Sequence, residues 1–313
     1  MCAVEIFSLL FALSLIPAII VWVLMLLAIP LNFSHLEPVS LFKVKEKLYY
    51  LHYFGSIFQN DTINTLPYGG KLARLSGIYD EPGTVGTFAA LFLAMSCFKR
   101  GWKNTLIFLA GILSFSAAFY ILSVISSALL KKYRISFLLI ITFSLCYITP
   151  HTPFNTRKVQ PSIAHILQDP LVEKKYGKAK QAYQFIRTFD NRSSLSMDSL
   201  FSTYLNGEIK TLLFGIASDA NAAFEGGASS SWKIILTNYG LVGFLYLTSF
   251  LLGYVFFKTK NLANKFEIYT FLFVFILNIY QRPFIWIPSY MLLFLGAVAY
   301  LTYKEEEETP LLA

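Results

Sequence analysis

Long apolar stretches separated by short basic clusters organise this chain. Charge-free windows run over residues 6–36, 82–98, 104–130, 135–156, 234–257, 268–281 and 283–303. A membrane span needs about 20 apolar residues, so the pattern predicts a series of transmembrane helices. Two polar, mixed segments interrupt it, 33–81 and about 151–230. Within the second, PLVEKKYGKAKQAYQFIRTF spaces aromatic and aliphatic residues by three and four, as a helix surface does. A small helical cap over one membrane face is expected there.

Composition sharpens this picture. With 56% hydrophobic residues, 14% charged residues and a mean hydropathy of +0.56, a chain of 313 residues is too apolar for one soluble core. The expectation is an all-α integral membrane protein. Its net charge of +8 sits largely in short connections: Lys99/Arg100/Lys103, Lys131/Lys132/Arg134 and Lys258/Lys260/Lys265. Cytoplasmic loops carry such an excess, so the charge does not point to nucleic acid. The three cysteines, Cys2, Cys97 and Cys146, are an odd number in apolar surroundings without metal spacing, and read as small buried hydrophobes. The first apolar stretch lacks a basic leader and is long, so it reads as a retained helix.

Charge parity sets the expected topology. Both ends of window 104–130 are basic and should face the cytoplasm, which one crossing cannot satisfy. As a single helix it would span about 40 Å against a hydrocarbon core of about 30 Å. A break near LSFSAA, 113–118, resolves both conflicts, giving a short pair at 104–117 and 118–131. Non-helical backbone at that depth survives only against protein or a water-filled cavity, so the break points to a cavity. The units are then a first transmembrane helix (1–32), an outer segment (33–81), transmembrane helices with the broken pair (82–150), a large outer loop or cap (151–230), C-terminal transmembrane helices (231–303) and a cytoplasmic tail (304–313). Eight spans result, with both termini inside.

Polar chemistry concentrates just ahead of window 82–98, in RLSGIYDEPGTVGTFAALFLA, residues 74–94. Pro82 suits a first helical turn, and a helix N-terminus favours anions. Arg74 adds a planar donor fork for phosphate oxygens. Glu81 could act as a base beside it, and Asp80 adjoins both. An ordinary reading of the same residues is an N-terminal capping acid with an interfacial arginine reaching to water.

That stretch resembles the arginine–glycine–Glu-Pro segment before a span in O-antigen polymerases, of the O-antigen polymerase and ligase superfamily. TLIFLAGILSFSAAFYILSVI resembles the family's helix pair broken around a serine-containing turn. LLFGIASDANAAFEGGASSSWKIILTNYGLVGFLYL resembles its glycine-marked loop and entry into the next helix. Together these cover roughly residues 70–300, in the family's order. Ligases carry a histidine followed by a small polar residue, nine residues, then glycine, two residues and glycine. Here the glycines are Gly240 and Gly243, but the histidine position falls on Ser229, and His35, His52, His151 and His165 lie elsewhere. This favours a polymerase over a ligase.

The resemblance implies a GT-C-like membrane glycosyltransferase in the bacterial cytoplasmic (inner) membrane, its active site facing the periplasm beneath the helical cap. Its expected reaction joins undecaprenyl-diphosphate-linked oligosaccharide repeats into O-antigen or a related surface polysaccharide such as that of lipopolysaccharide. No cofactor or metal is expected, and a polysaccharide chain-length regulator is a possible partner. Arg74, Glu81 and Arg187 are the candidate catalytic residues. Asp80, Arg192, Tyr204, Asn206 and Arg282 are the candidate substrate contacts, although Arg187 and Arg192 also read as solvated loop charge and Arg282 as an interfacial anchor. Ser229, Gly240 and Gly243 read as helix-packing residues. The competing functions are an O-antigen ligase and, from another class, a lipid-linked oligosaccharide flippase or transporter. Transporters often show internal repeats with midplane sites, and neither feature is visible here.

Overall fold

The computed structural model describes residues 3–37, 49–79, 81–148, 195–216, 232–262, 264–282 and 287–308. The described chain is mostly helical. Helix α1 (Ala3–Leu26) is followed by five short strands, β1 (Ser34–Leu36), β2 (Tyr50–Tyr53), β3 (Ser56–Gln59), β4 (Ile63–Thr65) and β5 (Lys71–Ala73). Helices α2 (Pro82–Met95), α3 (Trp102–Leu113), α4 (Ala117–Leu129) and α5 (Tyr133–Ile148) come next. Then follow α6 (Leu195–Leu205), α7 (Ile209–Phe214), α8 (Lys233–Thr259), α9 (Phe266–Gln281) and α10 (Pro288–Glu308).

The strands amend the all-helical expectation. β1, β2 and β3 form an antiparallel sheet and β4 pairs with β5. The β2–β3 loop is Phe54–Gly55, with φ of 46° and 68°, the left-handed pair that a tight hairpin turn requires. Strands of three or four residues are too short to show a two-residue periodicity in sequence. The small sheets rest on the C-terminal end of α1: the Trp22 indole N–H donates to the Ala73 carbonyl at 2.7 Å, and the Tyr68 hydroxyl donates to the Leu26 carbonyl at 3.1 Å.

Helix α2 is the axis of the bundle. Every one of its side chains but Thr84 is buried, the fate of a helix that is apolar all round. It packs against α3, α4 and α9, while Phe7 and Phe11 of α1 lay their rings against Phe88 and Phe92 at 5.2–6.0 Å. By contrast α5 and α8 expose large apolar residues, among them Phe137, Leu145, Tyr246 and Phe257.

Two helices, α1 and α8, are long and apolar enough to cross a membrane. Helices α2, α3, α4, α5 and α9 are apolar but shorter. Helix α2 stops three residues before the expected 98 because Cys97 and Phe98 turn left-handed, with φ of 51° and 53°. Helix α10 runs past the expected 303 into the acidic tail. Lysine and glutamate are good helix formers, and there Lys304 pairs with Glu267.

The turns gather at two ends. At one end Lys304 of α10 pairs with Glu267 of α9, Cys97 after α2 contacts the same carboxylate, and Gly296 of α10 abuts Val4 of α1. This is the end that carries the basic clusters. At the other end lie the strands, the α3–α4 break and the end of α9.

Helix α8 is kinked at Gly240, whose φ of 64° and ψ of −169° are open essentially to glycine alone. A Cβ there would sit 2.3 Å from the Leu213 carbonyl oxygen. The kink lets residues 213–216 dock on the helix, with the Ile216 N–H donating to the Thr237 carbonyl at 2.7 Å. Gly240→Ala should therefore lower the melting temperature of the detergent-purified protein, by strain of about 1–3 kcal/mol plus the clash. Gly253→Ala in the same helix meets nothing within 4 Å and should not lower it.

Candidate functional site

The break between α3 and α4 spans Ser114–Phe115–Ser116, inside the expected 113–118. Phe115 is left-handed, φ 45°, which reverses the chain without a glycine. A helix end buried this way leaves carbonyls without intrahelical partners. Each finds a donor. The Tyr120 hydroxyl reaches the Ile112 carbonyl at 3.3 Å, the Leu75 N–H the Leu113 carbonyl at 3.0 Å, and Arg74 Nε the Ser114 carbonyl at 3.1 Å. Arg74 thus closes the broken pair, placing its cation at the negative end of α3. Gly86 of α2 completes the contact, since a Cβ there would sit 2.4 Å from the Cβ of Ser116.

Glu81 precedes α2 in extended conformation and makes no side-chain cap hydrogen bond. The capping reading therefore fails. Its Oε2 instead accepts a 2.7 Å hydrogen bond from Nη2 of Arg282, at the end of α9. The Arg282 side chain is 9% exposed and that of Glu81 33% exposed. The pair sits at the N-terminus of α2, facing the same end of the bundle as Arg74.

Some of the unsatisfied buried polar atoms lie on the same elements, and others on α1, β3, α4, α8 and α10. Arg282 Nε has no hydrogen-bond partner among the described residues, and neither have both amide atoms of fully buried Asn278, one turn earlier on α9. Thr87 Oγ1 on α2 and Ser76 Oγ in the segment leading to it are in the same condition. Buried polar groups are nearly always paired, so these atoms are exceptions among the described residues. The sequence signal for Asn278 is a lone amide in the apolar window 268–281, which position alone does not single out. Tyr79, between Arg74 and Glu81, meets Ser14 at 3.0 Å; burial pushes its phenol pKa up, the Ser14 hydrogen bond partly offsetting this.

Other expected residues stand apart or outside the described set. The Tyr204 hydroxyl donates to the Leu212 carbonyl at 2.8 Å, and burial pushes the phenol up. Asn206 is exposed beside Ser202. Both belong to α6 and its end, which rest on α8 through the Lys233–Asp198 ion pair at 2.7 Å. Asp80, Arg187, Arg192 and Ser229 lie outside the described residues. Gly240 is a kink residue, while a Cβ on Gly243 would meet Tyr239 of its own helix. Among the described residues, no group of three or more His, Cys, Asp or Glu side chains is placed to hold a metal ion.

No protein-family model, curated protein or solved structure matches the chain. The functional reading therefore rests on the site itself and on the motif order.

Proposed function

We propose that this protein is a membrane glycosyltransferase that polymerises polyprenyl-diphosphate-linked oligosaccharide repeats at the outer face of a bacterial cytoplasmic membrane, with eight helical spans. One observation carries the reading: Glu81 and Arg282, which are 201 residues apart in the chain, form a largely buried ion pair at the N-terminus of α2. Arg74 anchors the α3–α4 break at the same end of the bundle. A carboxylate, two guanidinium groups and a helix N-terminus are what this glycosyl transfer demands.

The acceptor hydroxyl oxygen bonds to the anomeric carbon of the growing glycan. The bond from that carbon to the diphosphate oxygen breaks, its electron pair leaving on the diphosphate. Glu81 takes the hydroxyl proton. Arg282 holds Glu81 until substrate arrives, and an incoming diphosphate, which accepts bidentate hydrogen bonds with greater charge, draws the guanidinium away and frees the carboxylate. Arg74 and the N-terminal N–H groups of α2 stabilise the charge that develops on the leaving group.

The glycan of a deletion strain tests the reaction class. Surface lipid capped with single repeats is the expected result. Complete loss of caps would identify a ligase or flippase step instead.

A further inference from the structure

At the basic end of the bundle, the α2–α3 and α4–α5 turns border an open cavity of about 590 Å³. Lys99 and Arg100 line it from one turn; Lys131, Lys132, Tyr133 and Arg134 line it from the other. No acidic side chain lines it, and none of the five cations forms an ion pair among the described residues. Both turns are fixed by backbone hydrogen bonds of the Schellman type: Phe98 N–H to Leu93 and Cys97 N–H to Ala94 in one, Lys132 N–H to Ser127 and Lys131 N–H to Ala128 in the other. The backbone of both turns is thus ordered around the cavity, and the five cationic side chains are exposed. Lys99 is close enough to Glu267 to help hold that carboxylate charged.

Five exposed like charges around one cavity raise the local positive potential, which attracts an anion. The α4–α5 turn that lines the cavity leads directly into a helix with exposed apolar residues. Just past Arg134, helix α5 exposes Phe137 (66%), Leu138 (50%) and Leu145 (61%). A free anion would match the cations and leave that face bare. We propose that the cavity binds the phosphate headgroup of an anionic phospholipid of the cytoplasmic leaflet, its acyl chains lying along α5. Basic pockets between helices at this membrane face suit such headgroups. The inference rests on the membrane topology proposed above and is independent of the glycosyl transfer.

Native mass spectrometry of the full-length protein in neutral detergent, titrated with phosphatidylglycerol or phosphatidylcholine of the same chain length, tests it. Phosphatidylglycerol should be retained and phosphatidylcholine not. Lys131→Gln/Lys132→Gln should weaken the phosphatidylglycerol affinity about thirtyfold. Lys258→Gln/Lys260→Gln, which removes equal charge from the end of α8, should leave it unchanged. Arg100→Gln gives an independent loss should the double variant fold poorly. Equal weakening by both doubles, no preference for phosphatidylglycerol, or displacement by equimolar inorganic phosphate would each overturn the proposal. Because the assay needs no glycan, a protein that binds phosphatidylglycerol but fails to elongate would reject the polymerase reading and leave the lipid site standing.

Discussion

Arg74→Lys should cut glycan elongation at least a hundredfold per folded molecule. Arg74 Nε reaches the Ser114 carbonyl at the broken pair, and the proposed role adds a contact from the same guanidinium to phosphate. Lysine keeps the charge but has no planar fork. Losing one donor that stabilises a developing anion costs about 3–4 kcal/mol in the transition state. Losing the hydrogen bond to Ser114 costs stability of about 1 kcal/mol. The two roles separate experimentally, because a purely structural arginine would lower protein abundance and activity together. Activity normalised to folded protein, measured alongside the melting temperature, distinguishes them. Normal elongation per molecule would remove Arg74 from the chemistry.

The Glu81–Arg282 pair should show opposite behaviour in stability and in activity. Removing one partner of a buried ion pair costs about 3–5 kcal/mol when both are dry. Glu81 is one-third exposed, so the cost here should fall below that range. Arg282→Gln leaves the carboxylate at the α2 terminus without its cation. Glu81→Gln leaves a largely buried guanidinium without its anion. Each single variant should melt lower than the parent. The double variant, with two neutral amides in place of two charges, should recover much of the loss. Elongation should not recover with it, since neither amide can take the hydroxyl proton or hold the diphosphate. A double variant that regains both stability and polymer would make the pair a structural strut only.

Most of the helical framework is legible in the sequence, because charge-free windows and basic turns are one-dimensional signals. The α3–α4 break is legible for the same reason: basic residues at both ends of 104–130 predict a break at 113–118, and the helices are interrupted at Ser114–Ser116. The strands of 34–73 are not, since three-residue pairings leave no periodicity. The site is half legible. Arg74 and Glu81 stand out because an arginine, two acids, a proline and glycines are compressed just ahead of an apolar helix, but their partners do not. Glu81 reads as a cap until folding brings Arg282 to it, and no local pattern records a contact over 201 residues. Arg282 reads as an interfacial anchor because the sequence does not reveal that α9 packs on α2. Asn278 passes for one polar residue in an apolar window until its burial leaves both amide atoms unpaired among the described residues.

Elongation by the purified protein is the most direct test of the proposed activity. Full-length protein in lipid bilayers, supplied only with a polyprenyl-diphosphate-linked repeat and a chelator, should produce a ladder of lipid-linked oligomers and release polyprenyl diphosphate. Glu81→Gln under the same conditions should leave the single repeat unchanged. Oligomers formed only when a divalent metal is added would contradict the metal-independent mechanism. No oligomer from the folded parent protein under either condition would contradict the polymerase itself.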